Sequence, residues 1–183
     1  MDSEPLRAGD MEIAEKQLGR AVRGDARVAA RCPYGVVEVI ATPPLLPDGT
    51  PFPTLYWLSC PLLRRRVSGL ENAGFRGLLR CRLEEEPSFA EGLRRAEAEY
   101  IAAREKWAEE MRAAEETREY FAGHEGVGGT VAGGLKCLHA HLAHHLAGGV
   151  NPAGAAVSEA LSGSQERECD GDCGPFLRED ARR

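Results

Sequence analysis

The longest helical pattern in the chain runs from about Ser88 to Tyr120 and sets the expected fold class. Residues between those bounds are mostly charged, except for a stripe that repeats every three or four positions, as expected for an amphipathic helix. The stripe consists of Leu93, Ala96, Tyr100, Ala103, Trp107, Met111 and Ala114. Residues 84–119 include 12 acidic and 6 basic side chains. We therefore expect a mainly α (α+β) protein, with one long acidic helix and several shorter ones.

A small β element is predicted before this helix. β-branched residues cluster between Val36 and Ile40, and residues 54–58 form a second strand-like run. Five prolines lie between the two runs, and Asp48-Gly49 among them is a strong turn signal. We expect a two-stranded β element whose strands are joined by a proline-rich loop.

The remaining segments predict one domain followed by a tail. We expect residues 1–162 to form a single domain, in which a weak helix over 11–20 precedes a β and proline-loop part, residues 27–61. A helical part, residues 62–122, holds one long helix or two short ones before Ser88. Six glycines make residues 123–134 a loop, and residues 135–162 form a Cys/His helix and a short helix capped by Asn151-Pro152. Residues 163–183 are expected to be a polar, flexible tail.

Charge and hydropathy exclude several classes of protein. A net charge of −6 and a pI near 5.5 argue against a dedicated nucleic-acid or anionic-membrane binder. The locally basic run at residues 62–82 is expected to be a solvated helix face. The N-terminus lacks the apolar run of a signal peptide, and the uncharged stretch 137–158 contains four histidines and paired glycines. We expect a cytoplasmic protein with no membrane span.

Cysteine and histidine provide the main candidate chemistry. Cys32 and Cys60 each precede a proline beside a strand-like run, and Cys137, His141 and His144 are spaced i, i+4 and i+7 on one helix face. Thiolate sulfur and imidazole nitrogen are the ligands that Zn²⁺ prefers, whereas an iron–sulfur cluster would need mainly cysteines. We predict a metal site drawn from these five residues, with zinc as the metal and an iron–sulfur cluster as the alternative. The thiols could instead be buried core residues or a redox pair.

The metal site allows two roles. A closed set of four protein ligands would be structural, and 26 alanines among 183 residues leave a thin core that a metal would help to stabilise. An open position would allow hydrolysis of a phosphorylated or nucleotide substrate, with His144 or His145 as the base. Lys136, at the start of the same helix, is predicted to bind an anion. We favour a binding or scaffold protein with a structural site, and catalytic residues are not assigned.

The apolar stripe offers a third role that needs no metal. It could pack inside the chain or bind another helix, because few other large apolar residues are available to cover it. The residues expected to contact a helical partner, or a second copy in a coiled-coil homodimer, are Leu93, Tyr100, Trp107 and Met111. In that case the protein would be a metal-free helical adaptor.

Several motifs resemble a bacterial family of uncharacterised proteins. They are Arg31-Cys32-Pro33-Tyr34-Gly35, the stretch Leu46-Pro47-Asp48-Gly49-Thr50-Pro51-Phe52-Pro53-Thr54, Ser59-Cys60-Pro61, Lys136-Cys137-Leu138-His139, and Asn151-Pro152 followed by Gly154. Over about residues 11–160 the chain resembles the family catalogued as domain of unknown function 501. The resemblance implies no established activity. It favours Cys32, Cys60 and Cys137 over the other cysteines as functional residues. It implies nothing about the extra histidines after His139 or about the Cys169–Cys173 tail, where the chain departs from the family.

Overall fold

The computed structural model describes residues 4–5 and 9–162 of the chain. Its strands are β1 (Glu4–Pro5), β2 (Arg27–Arg31), β3 (Val37–Ala41) and β4 (Tyr56–Leu58). Its helices are α1 (Asp10–Leu18), α2 (Pro61–Asn72), α3 (Phe75–Glu85), α4 (Pro87–Glu110), α5 (Ala114–Phe121), α6 (Leu138–Leu146) and α7 (Pro152–Ser162). The predicted tail and its two cysteines, Cys169 and Cys173, lie outside the described residues. The mainly helical α+β prediction is confirmed.

The sheet is larger than the predicted two strands. It has four antiparallel strands in the order β1-β2-β3-β4. The two runs identified in the sequence do pair, with Val39 opposite Leu58. The prediction missed β2 because its sequence, Arg-Val-Ala-Ala-Arg, has one β-branched residue and no alternation of buried and half-buried positions. Its pairing with β3 is also irregular, with register shifts around Ala30.

The proline-rich loop turns where the sequence indicated. Gly49 adopts a φ of 79°, and its N–H donates to the Leu46 carbonyl at 2.9 Å. Asp48 Oδ1 accepts the Thr50 N–H at 3.0 Å, which closes the turn. The left-handed conformation at Gly49 would strain any residue with a Cβ. The loop therefore returns the chain to β4 by a defined turn.

The long helix is interrupted between residues 110 and 114. α4 ends at Glu110, and Arg112 has a φ of 58° before α5 begins at Ala114. The heptad-like stripe continues across this break, so the periodicity alone predicted one helix to Tyr120. A similar break divides the preceding helical segment, where Gly74 at φ 83° separates α2 from α3.

The apolar stripe of α4 is buried in the chain's own core. Leu93, Tyr100 and Trp107 are 1%, 0% and 6% exposed, and they pack with strand residues such as Val39. The burial of these three residues does not support the predicted partner-binding face. Met111, the fourth residue of that prediction, is 37% exposed.

Two layers of helix enclose the sheet. The larger core lies between the sheet and α2, α4, α6 and α7. A smaller cluster on the other face joins α1 to the sheet through Ala14, Val28 and Ile40. Tyr100 fastens the proline-rich loop to α4, because its hydroxyl accepts the Leu55 N–H and donates to the Pro53 carbonyl. No helix in the described part of the chain is long and apolar enough to cross a membrane.

Helices α6 and α7 pack together with very close backbones. A Cβ built on Gly154 would lie 2.2 Å from the His141 carbonyl oxygen and 2.6 Å from the His145 Cβ. Only glycine fits at that contact. Asn151 begins α7 as predicted, since its Oδ1 accepts the Gly154 N–H at 2.9 Å.

Candidate metal centre

Three potential metal ligands meet where the end of α2 packs against the start of α6. They are Glu71, Cys137 and His139, which we call the Glu–Cys–His centre. The Cys137 Sγ lies 3.9 Å from His139 Nδ1, and a Glu71 Oε2 lies 3.6 Å from the same nitrogen. One ligand atom from each residue lies within 4.8 Å of the others. The side chains of His139 and Glu71 are 24% and 20% exposed, so solvent reaches the centre.

The start of α6 explains why two residues so close in sequence converge. Cys137 precedes the helix with an extended backbone (φ −132°, ψ 107°), so it does not follow the helical spacing. The predicted i, i+4, i+7 face therefore does not begin at Cys137. Glu71 reaches this helix start from α2, and its Oε1 accepts the Leu138 N–H at 2.9 Å. One carboxylate thus occupies both the helix terminus and the centre.

The second ring nitrogen of His139 is held by α2. Its Nε2 lies 3.1 Å from the Arg64 carbonyl oxygen and 3.3 Å from the Ser68 hydroxyl. A carbonyl only accepts, so Nε2 carries a proton and donates to Arg64. Metal-binding histidines commonly donate their other ring N–H in this way, which orients the ring and fixes its tautomer.

The three groups alter one another's protonation. Burial would raise the pKa of the Cys137 thiol, but hydrogen bonds from His139 and the Ala140 backbone amide together outweigh it, and the pKa is lowered. Hydrogen bonding to Cys137 raises the pKa of His139 against the opposing effect of burial. Both shifts favour the pair of a thiolate and an imidazolium over the neutral pair. A thiolate is also the form of cysteine that binds metal.

The arrangement suits a cation at the centre better than a catalytic triad. In a triad, the nucleophile and the orienting acid use opposite nitrogens of the histidine. Here the sulfur of Cys137 and the carboxylate of Glu71 both approach Nδ1 of His139. In tetrahedral zinc sites, bond lengths of about 2.0–2.3 Å place ligand atoms roughly 3.3–3.6 Å apart. The observed separations of 3.6 and 3.9 Å need only a small contraction.

The predicted ligands His141 and His144 lie in the core, apart from this centre. Both are 0% exposed. The Asn151 amide nitrogen lies 3.2 Å from His141 Nδ1 and 3.3 Å from His144 Nδ1, so its two protons serve two acceptors. His141 Nε2 then donates to the Gly134 carbonyl at 3.2 Å. These contacts place both histidines in the junction between α6 and α7.

The environment of His144 disfavours its charged form. Its ring stacks on Tyr56 with centroids 5.7 Å apart and meets Tyr100 edge to face at 5.4 Å. Burial lowers the pKa of His144 to about 4, with smaller contributions from His141 and His145. Burial also lowers the pKa of His141. The position of His144 between aromatic rings does not suit the base proposed for the hydrolytic role.

The other two predicted ligands, Cys32 and Cys60, lie beside β3, apart from the Glu–Cys–His centre. The Cys32 N–H donates to the Val36 carbonyl and the Cys60 N–H to the Glu38 carbonyl, so the two cysteines flank β3 from opposite sides. Two strand spacings separate their backbones by about 9–10 Å. A disulfide needs Cα atoms within about 7 Å of each other. In the described residues, the Glu–Cys–His centre includes only Cys137 of the five predicted ligands.

Lys136 and Arg76 lie beside the centre. Lys136 is exposed and directly precedes Cys137, and Arg76 of α3 donates to the Lys136 carbonyl at 2.9 Å. The anion-binding prediction for Lys136 stays a prediction. Lys136 lies next to the centre because it directly precedes Cys137 in the sequence.

Sequence reasoning missed Glu71 and the role of His139. Glu71 is the single acidic residue of the basic run 62–82, but its approach to α6 is a tertiary contact. His139 was part of the Lys136-Cys137-Leu138-His139 motif, but it was set aside in favour of the helical spacing. A Cys-x-His pair at a helix start, with the cysteine still outside the helix, was the signal available.

The family model described as "Protein of unknown function (DUF501)" matches residues 28–159. This chain belongs to the DUF501 family. The DUF501 match spans all three residues of the Glu–Cys–His centre. Searches of the curated proteins and of the solved structures found no match.

Proposed function

We propose that this DUF501 chain is a zinc-binding protein, in which the Glu–Cys–His centre holds the metal. The convergence of sulfur and carboxylate oxygen on His139 Nδ1, at 3.9 and 3.6 Å, is the observation that carries the proposal. One sulfur, one nitrogen and one oxygen suit zinc, whereas an iron–sulfur cluster is held mainly by thiolates. The proposal includes a cytoplasmic location, because a thiolate ligand has to stay reduced.

The metal's main role in this proposal is to fasten α2 to α6. Zinc would replace the proton that Cys137 and His139 share and would neutralise the nearby Glu71 carboxylate. Binding energy gained in this way adds to folding stability, because the ligand set is not assembled in the unfolded chain. We therefore propose a binding or scaffold protein in which the metal stabilises the contact between α2 and α6, held by three protein ligands with its fourth position open to water.

Zinc content of the untagged protein tests the ligand set. We expect about one zinc per chain in the wild type. Cys137→Ser and His139→Gln should each lose most of it, while Cys32→Ser and Cys60→Ser should retain it. Cobalt substitution adds a second measurement, because a thiolate-to-cobalt absorption band should vanish in Cys137→Ser. A wild-type protein that takes up no zinc, or a Cys60→Ser protein that loses it, would contradict the assignment.

Glu71 needs a variant that separates its two contacts. Glu71→Gln keeps an amide oxygen for the Leu138 N–H and removes the charged ligand, whereas Glu71→Ala removes both. If the carboxylate is a ligand, both variants should bind zinc more weakly than the wild type. If Glu71 only accepts the hydrogen bond at the start of α6, Glu71→Gln should bind zinc as the wild type does. Glu71→Ala should then be less stable by the same amount with zinc and without it.

A metal-dependent hydrolase is the second candidate. Three protein donors among the described residues leave a tetrahedral metal one position for water, and the centre is partly exposed. Lys136 and Arg76 beside it supply positive charge for a phosphorylated substrate. Hydrolysis of p-nitrophenyl phosphate by the zinc-loaded protein, abolished in His139→Gln and weakened in Lys136→Gln, would favour this role. Absence of turnover in zinc-loaded protein would favour the structural role.

The metal-free adaptor has less support than either metal-based role. Its proposed contact residues are mostly consumed by the chain's own core, as the burial of Leu93, Tyr100 and Trp107 indicates. Measurement of mass in solution by light scattering, with and without zinc, would reveal any association. A dimer that Met111→Glu dissociates would revive the adaptor role.

A further inference from the structure

A cavity on the opposite side of α2 from the Glu–Cys–His centre has features of a small-molecule site. It lies between the β2–β3 turn and helices α2, α6 and α7, and we call it the hairpin cavity. Its volume is about 620 Å³, within the range of known ligand sites. None of the three residues of the centre lines it. The cavity is therefore separate from the proposed metal centre.

The wall of the hairpin cavity is mainly apolar. Its apolar side chains come from the hairpin, α2 and α6, and they include Val36, Val37, Leu62, Leu63, Leu142 and Leu146. Such a wall binds hydrocarbon or aromatic surface by removing it from water. Ligand pockets commonly combine such a wall with a few polar groups that orient the ligand.

The two arginines that line the hairpin cavity differ in whether they have an ion-pair partner. Arg31 is held by Asp10, whose two oxygens accept its guanidinium protons at 2.9 and 2.7 Å. Arg66 also lines the cavity, but among the described residues it makes no ion pair and no side-chain hydrogen bond. An unpaired guanidinium beside an apolar wall is a receptor for a carboxylate or a phosphate.

Glu38 is the acidic group of the hairpin cavity. Within the described residues its carboxyl has no hydrogen-bond or ion-pair partner either, and burial raises its pKa. The raised pKa weakens, at a given pH, the repulsion between this carboxyl group and an anionic head group. Arg66 and Glu38 are thus compatible with one anion.

We propose that the hairpin cavity binds an amphipathic organic anion, with its apolar body against the leucine and valine wall and its acidic head on Arg66. Decanoate and decyl phosphate are suitable probes, since they share a chain and differ in the head group. Decanol is the neutral control. Tighter binding of one acid identifies the head-group chemistry, and decanol that binds as tightly as both acids would overturn the proposal.

Cysteine alkylation gives a readout within a single chain. Cys32 lines the hairpin cavity and is half-buried, while Cys81 is exposed on α3, away from it. Bound decanoate should slow alkylation of Cys32 several-fold and leave that of Cys81 unchanged, as followed by mass spectrometry. Equal protection of both thiols would indicate non-specific detergent-like binding and would contradict the site.

Variants of the two charged residues test the assignment by calorimetry. Arg66→Gln should weaken decanoate binding about 10- to 100-fold, the usual effect of losing a hydrogen bond to a charged group. Arg80→Gln, on the exposed surface of α3, should have no effect. Glu38→Gln stays neutral at every pH, so it should bind decanoate at pH 7 as tightly as the wild type or more tightly. Unchanged binding in Arg66→Gln, or its loss in Glu38→Gln, would overturn the proposal.

Failure of this test would leave the zinc proposal intact. The alkylation and calorimetry experiments are performed on the full chain with its zinc content measured, and Arg66→Gln should retain the wild-type zinc content. A variant that loses zinc and decanoate binding together would indicate a folding defect. In that case Arg66→Lys, which keeps the charge without the planar fork, should restore part of the decanoate binding, and its failure to do so in a zinc-loaded chain would contradict the role of Arg66.

Discussion

The buried His144 should make the protein measurably less stable in mild acid. An unfolded histidine titrates near pH 6.5, whereas burial lowers the pKa of His144 in the folded chain to about 4. Between these two values the unfolded state binds more protons, so the free energy of unfolding falls as the pH is lowered. The contribution of the neutral ring is complete above about pH 6.5 and is lost progressively as the pH falls through about 4.

The size of this effect follows from the pKa difference. Each pKa unit corresponds to about 1.4 kcal/mol, so His144 alone should cost about 3 kcal/mol of stability between pH 7 and pH 4. His141 acts in the same direction. A loss of this size is a large fraction of the total stability of a typical domain, about 5–15 kcal/mol.

Urea unfolding at a series of pH values isolates the contribution of His144. Carboxyl groups also titrate in this window, so the informative quantity is the difference between the wild type and His144→Gln. His145→Gln, at the neighbouring half-exposed position, is the control, and it removes only the minor contribution of His145 to the pKa of His144. The wild type and the control should lose about 3 kcal/mol more than His144→Gln on going from pH 7 to pH 4. Equal losses in all three proteins would refute the reasoning.

Three further substitutions test the packing of the core. Gly154→Ala should destabilise the chain by about 1–3 kcal/mol or more, because its Cβ would overlap the His141 carbonyl oxygen. Gly69→Ala, on α2 with open space around it, should instead raise stability by up to about 1 kcal/mol. Tyr100→Phe should cost about 1–3 kcal/mol, because it leaves the buried Leu55 N–H without its acceptor. Thermal and urea unfolding measure all three, and a neutral Gly154→Ala or Tyr100→Phe would contradict the described contacts.

Local sequence signals predicted the elements that depend on local chemistry. The pairing of β3 with β4, the turn at Asp48-Gly49 and the start of α7 at Asn151 follow from β-branched clusters, turn residues and a capping side chain. The break before α5 was not predicted, because the residue with the left-handed conformation there is Arg112, at φ 58°, and not a glycine. The alanine-rich β2 was missed because its place in the sheet comes from its neighbours.

The candidate site was only partly predictable, for a geometric reason. The helical spacing of Cys137, His141 and His144 requires that all three lie within one helix, but α6 begins one residue after Cys137. Element boundaries are the least certain part of a sequence-based prediction, and here a shift of one position moves a ligand from one face to another. Glu71 could not be identified, because its contact with α6 crosses 67 positions of sequence.

The two oxygens of Glu71 make the centre sensitive to the register of α6 against α2. Oε1 accepts the first amide of α6 while Oε2 faces His139, one residue further along. A slide of α6 by one residue would turn its side chains by about 100° and break both contacts together. The carboxylate therefore makes both contacts in only one register of α6 against α2. A metal held there would accept one register of α6 against α2 and reject its neighbours.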